Sequence, residues 1–330
     1  MIVDRDGHVA GRGWTQQGGR PHAETEALAR AGTRARGATA YVSLEPCAHH
    51  GRTSPCAQAL IDAGVAQVVS AVEDPDARVS GKGTAMLAAA GIVVRANAMP
   101  AEAKRLNEGF FSRVLQRRPF VSLKFATTLD GRIGLPNGES RWITGEPARA
   151  HAHLERARHD GVVVGIGTAL ADDPELTCRL PGMRAARPVR IVVDSQARLP
   201  VTSKLVEGAR ATPVWVLATQ KNEPLEQAGV NVLTVPAAIG GVDLSAALKV
   251  LAAEGLTRVL VEGGAMLASA LLKANLVDRL LWYRAPSVMG EGISAVASLT
   301  RTALKDLPRF AREETIRLGE DVLETYRPAT

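Results

Sequence analysis

The stretches PHAETEALARAG (residues 21–32) and AYVSLEPCAHHGRTSPC (residues 40–56) decide how the first half of the chain is read. An Ala-rich run of helical period follows His22-Ala23-Glu24, a strand-like apolar run leads into Glu45-Pro46-Cys47, and Pro55-Cys56 opens a second helical run. One imidazole and two thiolates, His22, Cys47 and Cys56, form a ligand set that holds tetrahedral zinc with one position open, as catalysis requires and a structural site does not. With both thiols deprotonated and His22 neutral, the ligands cancel the dication's charge, yet the metal still draws the pKa of a bound water towards neutrality. Helix N-termini at His22 and Cys56 favour thiolate and orient the ligands. Glu24, two residues beyond His22 in the first helical turn, can reach such a water without ligating the metal, which makes it the proton shuttle.

A His-x-Glu followed by a Pro-Cys pair is the pattern of zinc nucleobase deaminases, in which an activated water attacks an amino-bearing ring carbon. Here eight residues separate Cys47 from Cys56, where the nucleic-acid-editing members have two, so the pattern points away from editing enzymes. His49 and His50 lie close enough to Cys47 to be rival ligands, although solvent or substrate contact is the favoured reading. Cys178 has no partner nearby and is expected to be a small buried residue.

Around this motif, strand-like and helical runs alternate in an α/β pattern. Asp6-Gly7 reads as a hairpin turn, residues 23–30, 56–63 and 84–90 as helices, and 40–44, 67–71 and 92–95 as strands. A helix over 101–114 ends at Gln116-Arg117-Arg118-Pro119, because proline disfavours helix for the residue before it. The boundary falls there, giving domains 1–117 and 118–330, as a length of 330 residues leads one to expect. The second half alternates again, with strands over 120–126, 161–165, 190–194, 214–217, 230–234 and 258–261 and helices over 146–158, 244–253 and 265–273. Residues 280–285, 315–318 and 322–326 read as late strands, of which some can be antiparallel.

Composition narrows the function classes. Hydrophobic residues at 46% and charged residues at 22% exclude disordered and fibrous classes. A net charge of +6, without any basic run longer than Arg117-Arg118, suits a phosphorylated small molecule, and aromatics at 4% leave few platforms for stacking nucleic-acid bases. Nucleic-acid binding is therefore not expected. The longest charge-free stretch, 227–242, contains Asn231, Pro236 and Gly241 and is too short and polar to span a bilayer. No secretory pattern follows Met1, so the expected address is cytoplasmic, where three cysteines argue for metal ligation or burial over disulfides.

In the second half, the run 258–261 leads into Glu262-Gly263-Gly264 and an Ala/Leu helix, a strand, glycine turn and helix N-terminus whose free N–H groups can bind phosphate. Gly165-Ile166-Gly167-Thr168 resembles it but lacks the third glycine of G-x-G-x-x-G and the acidic residue that motif requires, which argues against a Rossmann domain. Asp172-Asp173-Pro174 and Leu129-Asp130-Gly131 read as polar turns. The spacing of these residues alone does not define a chemistry.

The whole chain resembles the bifunctional deaminase/reductase family of riboflavin biosynthesis. The resemblance is carried by the two opening stretches, by LIDAGVAQVV and DPDARVSGKG, and by LKFATTLDGRI, GESRWITG, ADDPELTCR, RIVVDSQARLP and VEGGAMLASALL in the second half. It implies an N-terminal cytidine-deaminase-like α/β/α domain and a C-terminal dihydrofolate-reductase-like α/β domain, with Zn2+ and NADPH as cofactors. It further implies zinc-dependent hydrolysis of the 2-amino group of a phosphoribosyl diaminopyrimidine, followed by NADPH-dependent reduction of ribosyl to ribityl. His22, Cys47 and Cys56 align with zinc ligands and Glu24 with the proton donor. Ala126, Trp142, Thr168, Asp172, Ser195 and the run Gly264, Ala265, Met266, Leu267, Ala268, Ser269 and Ala270 align with NADPH contacts. Ser140, Arg156, Leu176, Arg179 and Glu262 align with substrate contacts, and both arginines suit a phosphate. Lys124, two residues before Ala126 on the same strand face, and Glu262 are the candidates for polarising or protonating the sugar. A homodimer or tetramer through the reductase domain is also implied. Family members usually begin earlier, with a helix and a Pro-Asn-Pro-x-Val-Gly loop that holds the pyrimidine. A sheet edge and part of the base pocket are therefore expected to be missing, and the alternative reading keeps only the reductase activity.

Overall fold

In the computed structural model the chain divides into two compact units, Met1–Gln116 and Arg117–Thr330. The structure describes residues 1–16, 18–49, 54–183, 186–297, 299 and 303–329.

The first unit opens with an antiparallel hairpin, β1 (Ile2–Val3) and β2 (Val9–Gly11), whose turn places Gly7 at φ 83°, where only glycine escapes a Cβ penalty. Three helices then link the remaining strands: α1 (Ala23–Ala31) precedes β3 (Thr39–Val42), α2 (Cys56–Asp62) precedes β4 (Gln67–Ser70), and α3 (Lys82–Ala89) precedes β5 (Val93–Arg95). These helical crossovers make β3, β4 and β5 parallel in a sheet of order β2-β1-β3-β4-β5. Ala27, Leu60 and Leu87 from the helices pack with Ile2, Ala40 and Val68 of the sheet. Small residues permit unusually close seating. A Cβ at Gly11 or Gly13 would strike the backbone carbonyl of Ala27 or Ala23, so α1 lies backbone to backbone against the end of β2.

The single helix expected over 101–114 is two, α4 (Pro100–Leu106) and α5 (Glu108–Gln116). Asn107 separates them at φ −100° and ψ 16°, its side-chain amide donating to the Ala103 carbonyl at 2.9 Å. Such a local bond competes with the helical ladder, which periodicity alone does not register.

The second unit is built on β6 (Phe120–Thr127), followed by β7 (Arg132–Gly134), α6 (Glu146–Ala157), β8 (Gly161–Gly165), α7 (Ile166–Asp172) and β9 (Val189–Val193). Next come α8 (Lys204–Glu207), β10 (Val214–Ala218), α9 (Glu223–Gln227), β11 (Asn231–Thr234), β12 (Ala237–Ala238), β13 (Gly241–Val242) and α10 (Leu244–Ala253). The unit ends with β14 (Arg258–Val261), α11 (Ala265–Lys273), β15 (Arg279–Arg284), β16 (Ile293–Ser294), β17 (Phe310–Leu318) and β18 (Asp321–Pro328).

Nine of these strands form one sheet in the order β11-β10-β9-β8-β14-β6-β15-β18-β17. Pairing is parallel from β11 to β15, and the β17–β18 hairpin closes the edge antiparallel. The late strands are thus mixed, since β15 pairs parallel with β6 and antiparallel with β18. Leu251, Leu267 and Leu271 cover one face over Val121, Leu123 and Val259, while Ala148 of α6 packs the other face with Leu260, Leu281 and Tyr283. Helix α7 stands where the sequence shows only a glycine turn, because Gly165 and Gly167 mask a short helix of poor propensity. Among the described residues no helix is long and apolar enough to cross a membrane.

Candidate active sites

Two helix starts and one strand end converge in the first unit. His22 is the N-cap of α1, Cys56 is the first residue of α2, and Cys47 lies in the segment after β3. His22 Nδ1 stands 3.3 Å from Cys56 Sγ and 3.7 Å from Cys47 Sγ, and the Cys56 N–H donates to Cys47 Sγ at 3.2 Å. Zinc bonded tetrahedrally to nitrogen and sulfur holds its donors about 3.5–3.8 Å apart, so the donor set fits the metal. Val79 packs against both buried sulfurs. The bond from the Cys56 side chain outweighs burial and, together with His22, pulls Cys47 down to about 4. The same bond and burial push Cys56 up, so Cys47 is the more readily ionised of the two.

The segment carrying Cys47 is anchored by a residue whose role the sequence does not disclose. The buried Glu45 carboxylate accepts the N–H groups of Asp74 at 3.3 Å, Gly81 at 3.0 Å and Thr84 at 3.0 Å, tying β3, the loop after β4 and the start of α3 together. Gly83 lets α3 approach the Pro46 carbonyl, where a Cβ would collide. Glu24 lies beside the sulfurs in the first turn of α1, its carboxyl raised chiefly by burial and hydrogen-bonded with Cys56. His49 is outside the group of mutually close donor atoms, so the rival-ligand reading finds no support among the described residues. His50 lies outside the described residues.

In the second unit the candidates gather at the C-terminal ends of parallel strands, where open α/β sheets bind ligands. Lys124 on β6 stands 3.5 Å from Glu262, which follows β14. Arg156 of α6 donates from Nε to Oε1 of Glu262 and from Nη2 to Oε2 at 3.0 Å. Burial raises the Glu262 carboxyl, but Arg156 and Lys124 overcome it and hold the group at about 2. Two cations against one carboxylate leave the cluster with an excess positive charge. Arg156 also donates to the Thr177 carbonyl at 2.9 Å and so fixes the segment of Leu176 and Arg179.

The two arginines differ. Arg156 is buried and committed to Glu262 and Thr177, whereas Arg179 is exposed and paired with Glu175 at 2.9 Å. Leu176 has φ 53° and is buried, its side chain packed in the core. Cys178, expected to be buried, is only half-buried, because it sits on this surface segment between Thr177 and Arg179.

Gly263 and Gly264 have φ of 137° and 82° ahead of α11, and a Cβ on Gly264 would lie 3.0 Å from Thr168 Oγ1. Thr168 and the glycine turn are therefore brought together. Ala265 and Ala270 are partly buried and Met266 is exposed, whereas Leu267, Ala268 and Ser269 are buried. Ser269 Oγ donates to the Ala265 carbonyl at 2.6 Å and accepts from the Ala297 N–H at 2.9 Å, so its hydroxyl serves the fold. With Leu267, Ala268 and Ser269 buried, the exposed part of this run is at the first turn, at Met266.

Trp142 is 66% exposed, with the Arg149 guanidinium 4.7 Å and the Arg141 guanidinium 5.7 Å from its ring. Arg141 also donates to the Asp172 carbonyl at 2.9 Å, which joins the loop of Ser140 and Trp142 to the end of α7. Ala126 lies on β6, two residues beyond Lys124. Ser195, after β9, is farther along the sheet, its carbonyl accepting the backbone and hydroxyl donors of Thr219.

Residues 1–72 match the cytidine and deoxycytidylate deaminase zinc-binding region, and residues 119–323 match the RibD C-terminal domain. The riboflavin biosynthesis protein RibD of Escherichia coli (strain K12) is 40% identical over 333 residues, spanning 97% of this chain and 90% of that one. The chain belongs to the RibD family. An Acinetobacter baumannii RibD structure superposes with a TM-score of 0.90 at 37% identity, covering 100% of this chain and 91% of that one. A Thermotoga maritima diaminohydroxyphosphoribosylaminopyrimidine deaminase/5-amino-6-(5-phosphoribosylamino)uracil reductase gives a TM-score of 0.86 at 31% identity, covering 99% and 90%.

As a RibD, the chain joins a cytidine-deaminase-like fold to a dihydrofolate-reductase-like one. It is a bifunctional enzyme of riboflavin biosynthesis, a deaminating hydrolase and a reductase acting on a small molecule, with zinc and NADPH as its cofactors. The reductase-only alternative is disfavoured, because the RibD deaminase region is present and matched across His22, Cys47 and Cys56.

Proposed function

We propose that residues 1–117 hydrolyse the 2-amino group of 2,5-diamino-6-(5-phosphoribosylamino)pyrimidin-4(3H)-one to ammonia, and that residues 118–330 then reduce the ribosyl group to ribityl, giving 5-amino-6-(5-phosphoribitylamino)uracil. The observation that carries this reading is the convergence of His22, Cys47 and Cys56, whose donor atoms all lie within 4.8 Å of one another.

His22, Cys47 and Cys56 would hold the zinc, and the Cys56 side chain and His22 favour the ionised form of Cys47. When bound, zinc supplies a Lewis acid that draws the pKa of water towards neutrality, and NADPH supplies the hydride. Glu24 takes the proton from the attacking water and delivers it to the departing amine. Burial suits the carboxyl to both roles, since it weakens the preference for the charged form.

In the reductase unit the N–H groups at the start of α11, beside Thr168, offer a cradle for NADPH phosphate, with Ala126, Trp142, Asp172 and Ser195 as further cofactor contacts. Arg179 is the exposed cation suited to the substrate phosphate, with Ser140 and Leu176 as further substrate contacts. Lys124 polarises and protonates the sugar as hydride arrives. Glu262, held ionised by Arg156, orients the ammonium. Assembly into a homodimer or tetramer through the reductase unit and a cytoplasmic address belong to the same reading, the latter supported by phosphorylated substrates and by cysteines used as ligands.

The test is sequential turnover. The diaminopyrimidine without NADPH should release ammonia and stop, and later addition of NADPH should oxidise about one equivalent per ammonia released. Ammonia release without subsequent NADPH oxidation would contradict the proposed order.

A further inference from the structure

Lys124 lies between two strands that each supply it with a neighbour. Glu262, at the end of β14, is 3.5 Å from Nζ on one side, and the ring centroid of Tyr283 on β15 is 6.0 Å from it on the other. Sheet register sets this arrangement, because Leu281 pairs with Lys124 and Tyr283 pairs with Ala126 across β6 and β15. Tyr283 is 1% exposed, and its hydroxyl shares a 2.8 Å hydrogen bond with Nδ1 of His151 on α6. One helix therefore secures both sides of the lysine, Arg156 gripping Glu262 and His151 holding Tyr283.

The pair is costly to keep for packing alone. Burial lowers the His151 pKa and raises that of Tyr283, so both remain neutral, and a buried hydroxyl is tolerated only with a partner. Phenylalanine would fill the same space. What the hydroxyl adds is a fixed ring orientation. This matters because Arg156 already occupies both Glu262 oxygens, leaving a loose 3.5 Å contact that constrains the ammonium weakly. An aromatic face about 6 Å from a cation is within range to attract it.

We propose that the His151–Tyr283 pair is a positioning device for the reduction step, fixing the aromatic wall against which Lys124 lies and so aiming its ammonium at the sugar. This rests on the role assigned to Lys124 above. Neither His151 nor Tyr283 touches the reacting atoms, and both act through the lysine.

The test uses the full chain with Y283F, H151L, H151Q and K124Q, measuring kcat and both KM values for NADPH oxidation on the deaminated intermediate. Y283F and H151L should each lower kcat about fivefold or more while leaving both KM values within about twofold, and their combination should be no worse than either alone. H151Q, whose amide can replace Nδ1, should recover kcat to within about twofold of the parent. If K124Q abolishes reduction while Y283F and H151L leave kcat within about twofold, the inference is wrong and the Lys124 assignment stands. If K124Q reduces at the parental rate, that assignment fails and the inference falls with it. A rise in KM matching the fall in kcat for both Y283F and H151L would mark the pair as merely structural and overturn the proposal.

Discussion

Arg156 on α6 holds both carboxylate oxygens of Glu262, and Lys124 reaches the same group at only 3.5 Å. Arg156 and Lys124 together keep the carboxylate charged in a buried place, and the arginine holds it the more closely of the two.

Glu262→Gln should destabilise the reductase unit. The parent carboxyl is held at about 2, below its reference of 4.5, so its contribution is fully present above pH 4.5 and is lost as the pH falls towards 2. That shift corresponds to about 3 kcal/mol at neutral pH. Calorimetric unfolding across this range should show the parent converging on the variant as acid is added. A constant gap between the two would refute the linkage.

Glu24→Gln separates metal binding from proton transfer. The variant should retain zinc, because Glu24 is outside the ligand group, while ammonia release falls about 10²- to 10⁴-fold. NADPH oxidation on the deaminated intermediate should be unchanged. Parental ammonia release by a zinc-loaded variant would remove Glu24 from the mechanism.

Gly264→Ala tests the glycine turn. A Cβ there meets Thr168 Oγ1 at 3.0 Å on a backbone of φ 82°, a strain of about 1 kcal/mol or more. The KM for NADPH should rise several-fold with ammonia release unaltered. An unchanged KM would mean that the cofactor does not depend on this turn.

If Arg179 takes the substrate phosphate as proposed, Glu175 competes for it, since the two form an ion pair 2.9 Å long and about half-exposed on both sides. Exposed pairs contribute no more than about 1 kcal/mol, so Glu175→Gln should lower the KM of the phosphorylated intermediate by at most about fivefold. A dephosphorylated analogue should not respond. Equal responses from both compounds would exclude Arg179 as the phosphate contact.

Much of the scaffold can be read before folding because buried parallel strands are short, uniformly apolar runs bounded by turn residues. The segments 161–165 and 258–261 are such runs, and the helix at 244–253 is announced by Asp243, whose carboxylate accepts the Ala246 N–H at 3.0 Å. The candidate zinc ligands were equally legible, since few residue types bind zinc and two of the three, His22 and Cys56, stand at helix starts. The second site was legible only through resemblance, because glycine turns and polar loops serve packing as readily as ligands. Leu267, Ala268 and Ser269 illustrate this, lying within an aligned cofactor run yet packed into the core or bonded to the backbone. Tyr283 and Glu45 gave no local signal. Strand register brings Tyr283 to Lys124, and the approach of α3 brings its N–H groups to Glu45.

Metal content measured beside ammonia release, on the purified full chain and on His22→Ala, decides whether the deaminase unit works through zinc. About one zinc per parent chain is expected together with ammonia release, and the variant should lose both while keeping NADPH oxidation on the deaminated intermediate. A parent chain that releases ammonia without zinc, or a variant that keeps both zinc and ammonia release, would contradict this expectation.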